Sequence, residues 1–192
     1  MYIAENPELS IVEMDTVEGR KGGKVLLTLL IRSCRLGLTF LMEDKTQKSV
    51  KACFDLLYKS LGEKLFKTVF GVILTDNGSE FLNPLELECD GDGLIHTRLF
   101  YCDPNASYQK GMLEKNHEFI RYILPKGSSF DDLHQPDINC VMNHINSLNR
   151  DSLGGKSPFD AARFFLPDEL FPALQCQKIP PDEVLLKPSL LK

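Results

Sequence analysis

The chain is 192 residues long, 43% hydrophobic and 26% charged, with a formal net charge of −5. That length and apolar content suit one domain with a substantial core, and the acidic balance excludes nucleic-acid binding by bulk positive charge alone. No apolar run approaches the roughly 18 residues of a membrane span, and the opening Met1-Tyr2-Ile3-Ala4-Glu5-Asn6-Pro7 lacks the basic and apolar regions of a secretory signal, so a cytoplasmic protein is expected.

Ile11 to Val17 alternates, with Val12, Met14 and Thr16 on one side and Glu13, Asp15 and Val17 on the other. This is the pattern of a strand with an acid near its C-terminal end. After the turn Glu18-Gly19-Arg20-Lys21-Gly22-Gly23, Val25 to Ile31 and Leu36 to Met42 read as two buried strands, and the short connections make the three an antiparallel meander. Thr46 to Leu61 carries Val50, Cys53, Phe54, Leu57 and Leu61 at helical spacing and stops at Gly62. Phe70 to Leu74 is the next strand and runs into Thr75-Asp76-Asn77-Gly78. Leu82 to His96 is irregular, and its Asp90-Gly91-Asp92-Gly93 reads as a turn, since no Glu stands at the twelfth position of a calcium loop. Thr97 to Cys102 is the last strand, closed by Asp103-Pro104-Asn105.

A half-buried helix follows. Met112, Leu113, Asn116, Phe119, Ile120, Ile123 and Leu124 fall on one arc, Glu114, Glu118 and Arg121 on another, and Pro125 with Gly127 ends it. Ile138 to Leu148 and Ser157 to Phe165 are two further helices. The tail from Pro167, with Pro172, Pro180, Pro181 and Pro188, is an extended arm or strap. The expected division is a core over 1–166 and a Pro-containing extension over 167–192. Strands, then a helix, then a strand ending in an acid make an α/β order. Cys34, Cys53, Cys89, Cys102, Cys140 and Cys176 form no Cys-x-x-Cys pair and sit mostly in apolar runs, which suits reduced thiols.

Three acids stand out: Asp15 and Asp76 at strand ends, and Glu114 on the helix after the last strand. Functional groups of open α/β sheets gather beyond the carboxyl ends of strands, where strand order switches. Carboxylates there suit magnesium, and two such ions clamp the attacking and leaving oxygens of a phosphoryl displacement. Each acid by itself equally fits a solvated strand end or helix face. Glu13 shares a face with Asp15, and His117, three residues beyond Glu114, lies nearer the apolar boundary and fits packing or support of a site.

Several words occur together and in order: Thr75-Asp76-Asn77-Gly78-Ser79-Glu80-Phe81, Phe100-Tyr101-Cys102-Asp103-Pro104, Gln109-Lys110-Gly111 followed by Glu114, Ile120-Arg121, and Pro125-Lys126-Gly127. In combination they resemble the catalytic core of bacterial insertion-sequence transposases, insertion-sequence family thirty in particular, within the retroviral-integrase superfamily of DDE enzymes. The resemblance runs from about Ile11 to Phe165. It implies an RNase H-like fold: a mixed central sheet, three antiparallel strands then two parallel ones, flanked by helices. It also implies a divalent-metal-dependent polynucleotidyl transferase, with Asp15, Asp76 and Glu114 as catalytic residues and ligands of two Mg2+ ions (Mn2+ as substitute). The activity implied is nicking at transposon ends, then strand transfer to target DNA. Asn77, Tyr108, Gln109, Lys110, Arg121 and Lys126 would contact transposon-end or target DNA, in a homodimer or higher multimer associated with the nucleoid. The chain carries Tyr108 where the family carries Trp, and Asn149-Arg150-Asp151-Ser152 where it carries an Asn-Arg-Pro-Arg-like word. The family's N-terminal helix-turn-helix has no counterpart. Another RNase H-like nuclease, or a silent remnant that only binds DNA or a partner, are the alternatives.

Two physical expectations follow. Three clustered acids repel one another without metal, so Asp76→Asn should leave the metal-free chain as stable as before or slightly more so. With no helix-turn-helix to read base edges, the chain should bind DNA weakly, without sequence preference, and less as salt rises. Titration of labelled transposon-end and scrambled duplexes checks this; tight, end-selective binding at physiological salt would mean that base readout resides in this chain.

Overall fold

The computed structural model describes residues 5, 9–89, 93–103 and 107–191. Its centre is one five-stranded sheet: β1 (Ile11–Glu18), β2 (Val25–Ile31), β3 (Leu36–Met42), β4 (Val72–Thr75) and β5 (Arg98–Tyr101), in the order β3-β2-β1-β4-β5. β1, β2 and β3 pair antiparallel, while β4 pairs parallel with β1, and β5 parallel with β4. This is the mixed sheet expected from the sequence. After β3 the chain crosses the sheet and re-enters beside β1, so the switch in strand order lies between β1 and β4, at the shared end of two parallel strands.

Helices cover both faces. On one face α1 (Gln47–Phe70), α5 (Pro158–Phe165) and α6 (Leu170–Ala173) pack on Val12, Met14, Leu27, Leu29, Leu36 and Ile73. On the other, α3 (Gly111–Ile123) and α4 (Gln135–Ser147) pack on Val17 and Leu26 through Ile120, Ile123, Ile138, Val141 and Ile145. The second face is approached very closely at Gly37, where an added Cβ would lie 2.7 Å from Asn116 Nδ2 and from Met142 Cε. Asn146 reads the same glycine's backbone, accepting from its N–H at 2.9 Å and donating to its carbonyl at 2.8 Å.

Several boundaries differ from the sequence reading. Gly62 breaks α1 as expected, with φ 71° and ψ 165°, but the helix resumes and runs to Phe70. Phe66, Val69 and Phe70 all face the core, and the Phe66 and Phe70 rings stack at 5.3 Å. Phe70 therefore belongs to the helix, and β4 begins at Val72. The irregular stretch before β5 contains one helical turn, α2 (Pro84–Glu88), whose Glu88 accepts the backbone N–H of Leu99 at 2.7 Å and so fastens the edge strand. Of the turn assigned to Asp90-Gly91-Asp92-Gly93, residues 90–92 lie outside the described residues. Met112, read as part of the apolar arc of α3, is exposed. Cys34, Cys53, Cys102 and Cys176 are buried and all six cysteines are free thiols. Among the described residues, no helix is long and apolar enough to cross a membrane.

The tail is fastened along its length. Leu170 and Phe171 join the first core, and Leu186, Leu190 and Leu191 lie on the second. Between them, Gln177 N–H donates to Asn143 at 3.0 Å, Ile179 N–H to Ser147 at 2.9 Å and Leu185 N–H to Nδ1 of His144 at 3.0 Å. Burial lowers the pKa of His144, with Glu183 opposing weakly, so this ring resists a proton that the unfolded chain accepts near pH 6.5. The unfolded state then binds more protons below that pH, so stability falls as pH drops through about 6.5 until the folded pKa is reached. Protonation also removes the acceptor for Leu185. Limited proteolysis should accordingly cut the 176–191 strap faster at pH 5 than at pH 7.5, and His144→Asn should flatten that difference.

Candidate active site

The parallel register brings two acids together. Glu13 pairs with Leu74, so two residues further along each strand Asp15 lies beside Asp76, on neighbouring strands about 4.8 Å apart. Thr75 strengthens the junction by donating to the carbonyl of Met14 at 3.2 Å. Two carboxylates this close repel one another unless a proton or a positive charge lies between them, and the structure supplies the charge. Lys110 Nζ lies 3.0 Å from Asp15 Oδ2 and 3.0 Å from Asp76 Oδ2, and donates to Met14 O at 3.3 Å. The lysine side chain is only 6% exposed. Burial disfavours its ammonium, but the two aspartates prevail and hold its pKa above the usual value.

Lys110 arrives there because the start of α3 is pinned to the sheet. Glu13 is 1% exposed; its Oε2 accepts the Leu113 N–H at 2.9 Å, satisfying one of the open donors of the helix N-terminus. Its Oε1 takes Arg32 Nε at 2.7 Å, and Arg32 Nη2 donates to the carbonyl of Gln109. One carboxylate one strand repeat behind Asp15 thus fixes the segment that carries Lys110 and Glu114. From the other strand neighbour, Thr28 Oγ1 donates to Asp15 O at 3.0 Å and lies 2.8 Å from His117 Nε2. The hydroxyl's single proton is already used, so His117 donates through Nε2–H. Burial pushes the His117 pKa down to about 4, against the pull of Asp15, and the ring is neutral near pH 7.

The opposite face has its own support. Glu80 is 3% exposed. Its Oε1 accepts the Thr16 hydroxyl at 2.8 Å and lies 3.5 Å from Lys45 Nζ, which ties the Asp76 loop to the strand of Asp15. A Cβ at Gly78 would sit 2.8 Å from Glu80 Oε2 and 3.0 Å from Asp76 Oδ1, so only glycine leaves both carboxylates where they are. Neither Glu13 nor Glu80 was singled out as functional from the sequence. The signal available was the acid itself in an otherwise buried strand for Glu13, and Glu80's place inside the Thr-Asp-Asn-Gly word.

The other residues singled out divide. Glu114 is exposed in the first turn of α3, and among the described residues no three acids, histidines or cysteines are grouped to hold a metal ion. The expected convergence of three carboxylates is thus described for two. The single positive charge of Lys110 already leaves that pair with a net negative charge, and a third carboxylate would add to it. Asn77 and Lys126 are exposed. Gln109 is closed on Asp103, donating to its carboxylate at 2.9 Å and accepting its N–H at 3.0 Å. Arg121 donates to the carbonyl of Glu18 at 2.7 Å, while its Nη1 is buried without a partner and burial lowers its pKa. The side chain of Tyr108 lies outside the described residues. Arg150 stacks its guanidinium 3.7 Å over the Phe119 ring, which fastens α3 to the loop after α4. A cleft of about 680 Å³ opens on the Asp15 side of the sheet between Glu13, Arg32, Leu74, Tyr101, Gln109 and Met112.

No family model matches the chain. Over 143 residues it is 29% identical to the candidate integrase ORF3 of Spiroplasma virus SpV1-R8A2 B, covering 74% of this chain and 42% of that protein. It is 27% identical over 146 residues to the transposase for insertion sequence element IS1086 of Cupriavidus metallidurans, covering 76% and 41%. It is 26% identical over 146 residues to the transposase InsI for insertion sequence element IS30C of Escherichia coli K12, covering 76% and 36%. The chain therefore spans about two fifths of the length of these relatives. In structure it is similar to the integrase catalytic core domain of HTLV-2, solved in complex with magnesium (TM-score 0.54, 20% identity, 79% of this chain and 94% of that one). It is also similar to the catalytic core domain of BIV integrase (TM-score 0.53, 18% identity, 78% and 91%). The resemblance to family-thirty transposases is borne out by these relatives, and the fold is that of the integrase cores.

The pinning of α3 can be measured. Glu13→Ala would leave the Leu113 N–H and Arg32 without their partner. Breaking a fully buried pair costs about 3–5 kcal/mol, and since Arg32 keeps some solvent, roughly 2–4 kcal/mol of stability should be lost in urea unfolding. Glu13→Gln, which can still accept from Leu113, should lose less.

Proposed function

We propose that this chain is the catalytic core of a divalent-metal-dependent transposase, nicking DNA at the ends of a mobile element and joining the freed 3′ hydroxyl to target DNA. The observation that carries this reading is the convergence of Asp15 Oδ2 and Asp76 Oδ2 on one cationic atom, each 3.0 Å from Lys110 Nζ. Paired carboxylates directed at a single positive charge are a donor set suited to magnesium or manganese, hard ions that prefer oxygen. Asp15 and Asp76 would hold the metal, with Glu114 joining them from the exposed first turn of α3. Two bound ions would supply charge neutralisation at the attacking and leaving oxygens of the phosphoryl displacement.

The chain's own residues do the rest. Thr75, Thr28 and neutral His117 hold the backbone of Asp15 and its neighbours, so the carboxylates stay aligned while charge at the site changes. Glu13 and Arg32 set where α3 begins, and with it the reach of Glu114. Exposed Asn77 and Lys126 are free to meet phosphates, and half-buried Arg121 adds positive charge; such contacts position DNA without reading its sequence. Gln109, now closed on Asp103, and Tyr108 would help position the strand end, for which the cleft beside Glu13 and Met112 provides room. Transposon-end DNA, target DNA and a second copy of the chain are the partners in this reading.

Asp76→Asn tests it. The variant should nick supercoiled DNA in manganese more than about 100-fold slower than wild type, since losing even a supporting partner of a metal ligand costs 10–100-fold. The expectation that it would be as stable as wild type without metal is revised by Lys110. Asp76 is an ion-pair partner of a buried ammonium, not one of three uncompensated acids. With Asp76 about half exposed, the loss should be roughly 1 kcal/mol, well below the cost of breaking a fully buried pair. Melting in EDTA reads this. Nicking at the wild-type rate would make Asp76 a structural acid and end the proposal.

A further inference from the structure

Lys110 stands where a metal ligand set would have its ion. Its ammonium touches Asp15, Asp76 and the carbonyl of Met14, and the residue is 5% exposed. A lysine that only awaited DNA phosphate would extend its strongly hydrated head into water, and one that only packed would not need two carboxylates. The backbone on either side of it is separately tethered, Gln109 to Asp103 and Arg32, and Leu113 to Glu13. The lysine side chain can therefore leave without the helix start unravelling.

We infer that the Lys110 ammonium is the resident counter-ion of the Asp15–Asp76 pair, and that a divalent cation enters this site only by exchange, expelling Lys110 toward solvent. This rests on the reading of Asp15 and Asp76 as metal ligands. Two consequences set it apart from a fixed structural lysine. In the metal-free protein Lys110 holds two like charges on adjacent strands, so it stabilises the apo form. When metal enters, the same side chain becomes an exposed positive charge at the mouth of the site, available to a DNA phosphate only after the metal has arrived. Metal loading and phosphate capture are thereby ordered.

The test uses Mn2+ alone and no DNA. Binding of Mn2+ to the whole chain, followed by electron paramagnetic resonance of the free ion, is compared for wild type, Lys110→Met and Asp76→Asn. An opposite charge beside a carboxylate shifts its proton affinity by one to three powers of ten, and a divalent cation competes with the same ammonium, so Lys110→Met should bind Mn2+ about tenfold more tightly or better. In EDTA it should melt below wild type, and its gain in melting temperature on adding Mn2+ should be larger. Wild type provides a readout that needs no variant: acylation of Lys110 by an amine-reactive ester, located by mass spectrometry, should be slow without metal and rise several-fold with Mn2+. Equal or weaker Mn2+ binding by Lys110→Met, or a Lys110 equally protected with and without Mn2+, overturns the exchange. If wild type and Lys110→Met bind Mn2+ but Asp76→Asn does so equally well, the metal-site reading itself fails, and the exchange with it.

Discussion

The parallel pairing of β1 with β4 is the constraint on which the rest depends. Its register, carried one residue past β4, lays Asp15 against Asp76, and like charges so close need a proton or a cation between them, here an ammonium. Several polar groups near the sheet end answer that demand or support the groups that answer it. Lys110 provides the charge; Thr75 and Thr28 hold the strands to which the acids belong; His117, kept neutral by burial, anchors the threonine without adding a further charge.

Two other carboxylates brace this arrangement from opposite sides. Glu13, beneath α3, converts an open helix N-terminus and a strand arginine into one closed network. Glu80, on the α1 side, joins the loop after β4 to the strand of Asp15 through Thr16. Both are almost wholly buried, where a charge is tolerated only when paired or well hydrogen-bonded. The site thus uses four acids in two different ways: two are directed at a cation beyond the strand ends, and two act as backbone and side-chain acceptors that keep the strands, the loop and the helix in mutual register.

Much of this arrangement was legible in the chain and some was not, for reasons that can be named. The β2 and β3 strands are nearly continuous apolar runs of strand length bounded by turns, and both are buried on two faces, β2 inside the sheet and β3 at its edge. The end of α3 was marked by Pro125 and Gly127, the latter at φ +85°. Gly62 was equally visible as a break, but a break does not say whether helix resumes; Phe66, Val69 and Phe70 decide that by packing on the sheet. Alternation placed Glu13 and Asp15 on one face without revealing that α3 begins directly over Glu13 and leaves Asp15 at the rim. Lys110 was read as a contact for DNA. That it turns inward between two acids, one 34 residues and the other 95 residues earlier, is a fact of tertiary structure with no local trace.

The same β1–β4 pairing bears on how the protein is made. The β1–β2–β3 meander closes through short turns and can form early, because nearby segments meet at little entropic cost. Asp15 is then in place at the edge of a three-stranded ribbon with no acid beside it. Asp76 joins only after the chain has completed α1 and doubled back to pair in parallel, and Lys110 only after β5 and the start of α3. During synthesis, a nascent or partly folded chain therefore carries the acids as isolated surface charges. The paired carboxylates therefore exist only once β4 has joined β1, the most non-local pairing in the sheet and so, by its contact order, a late event in folding.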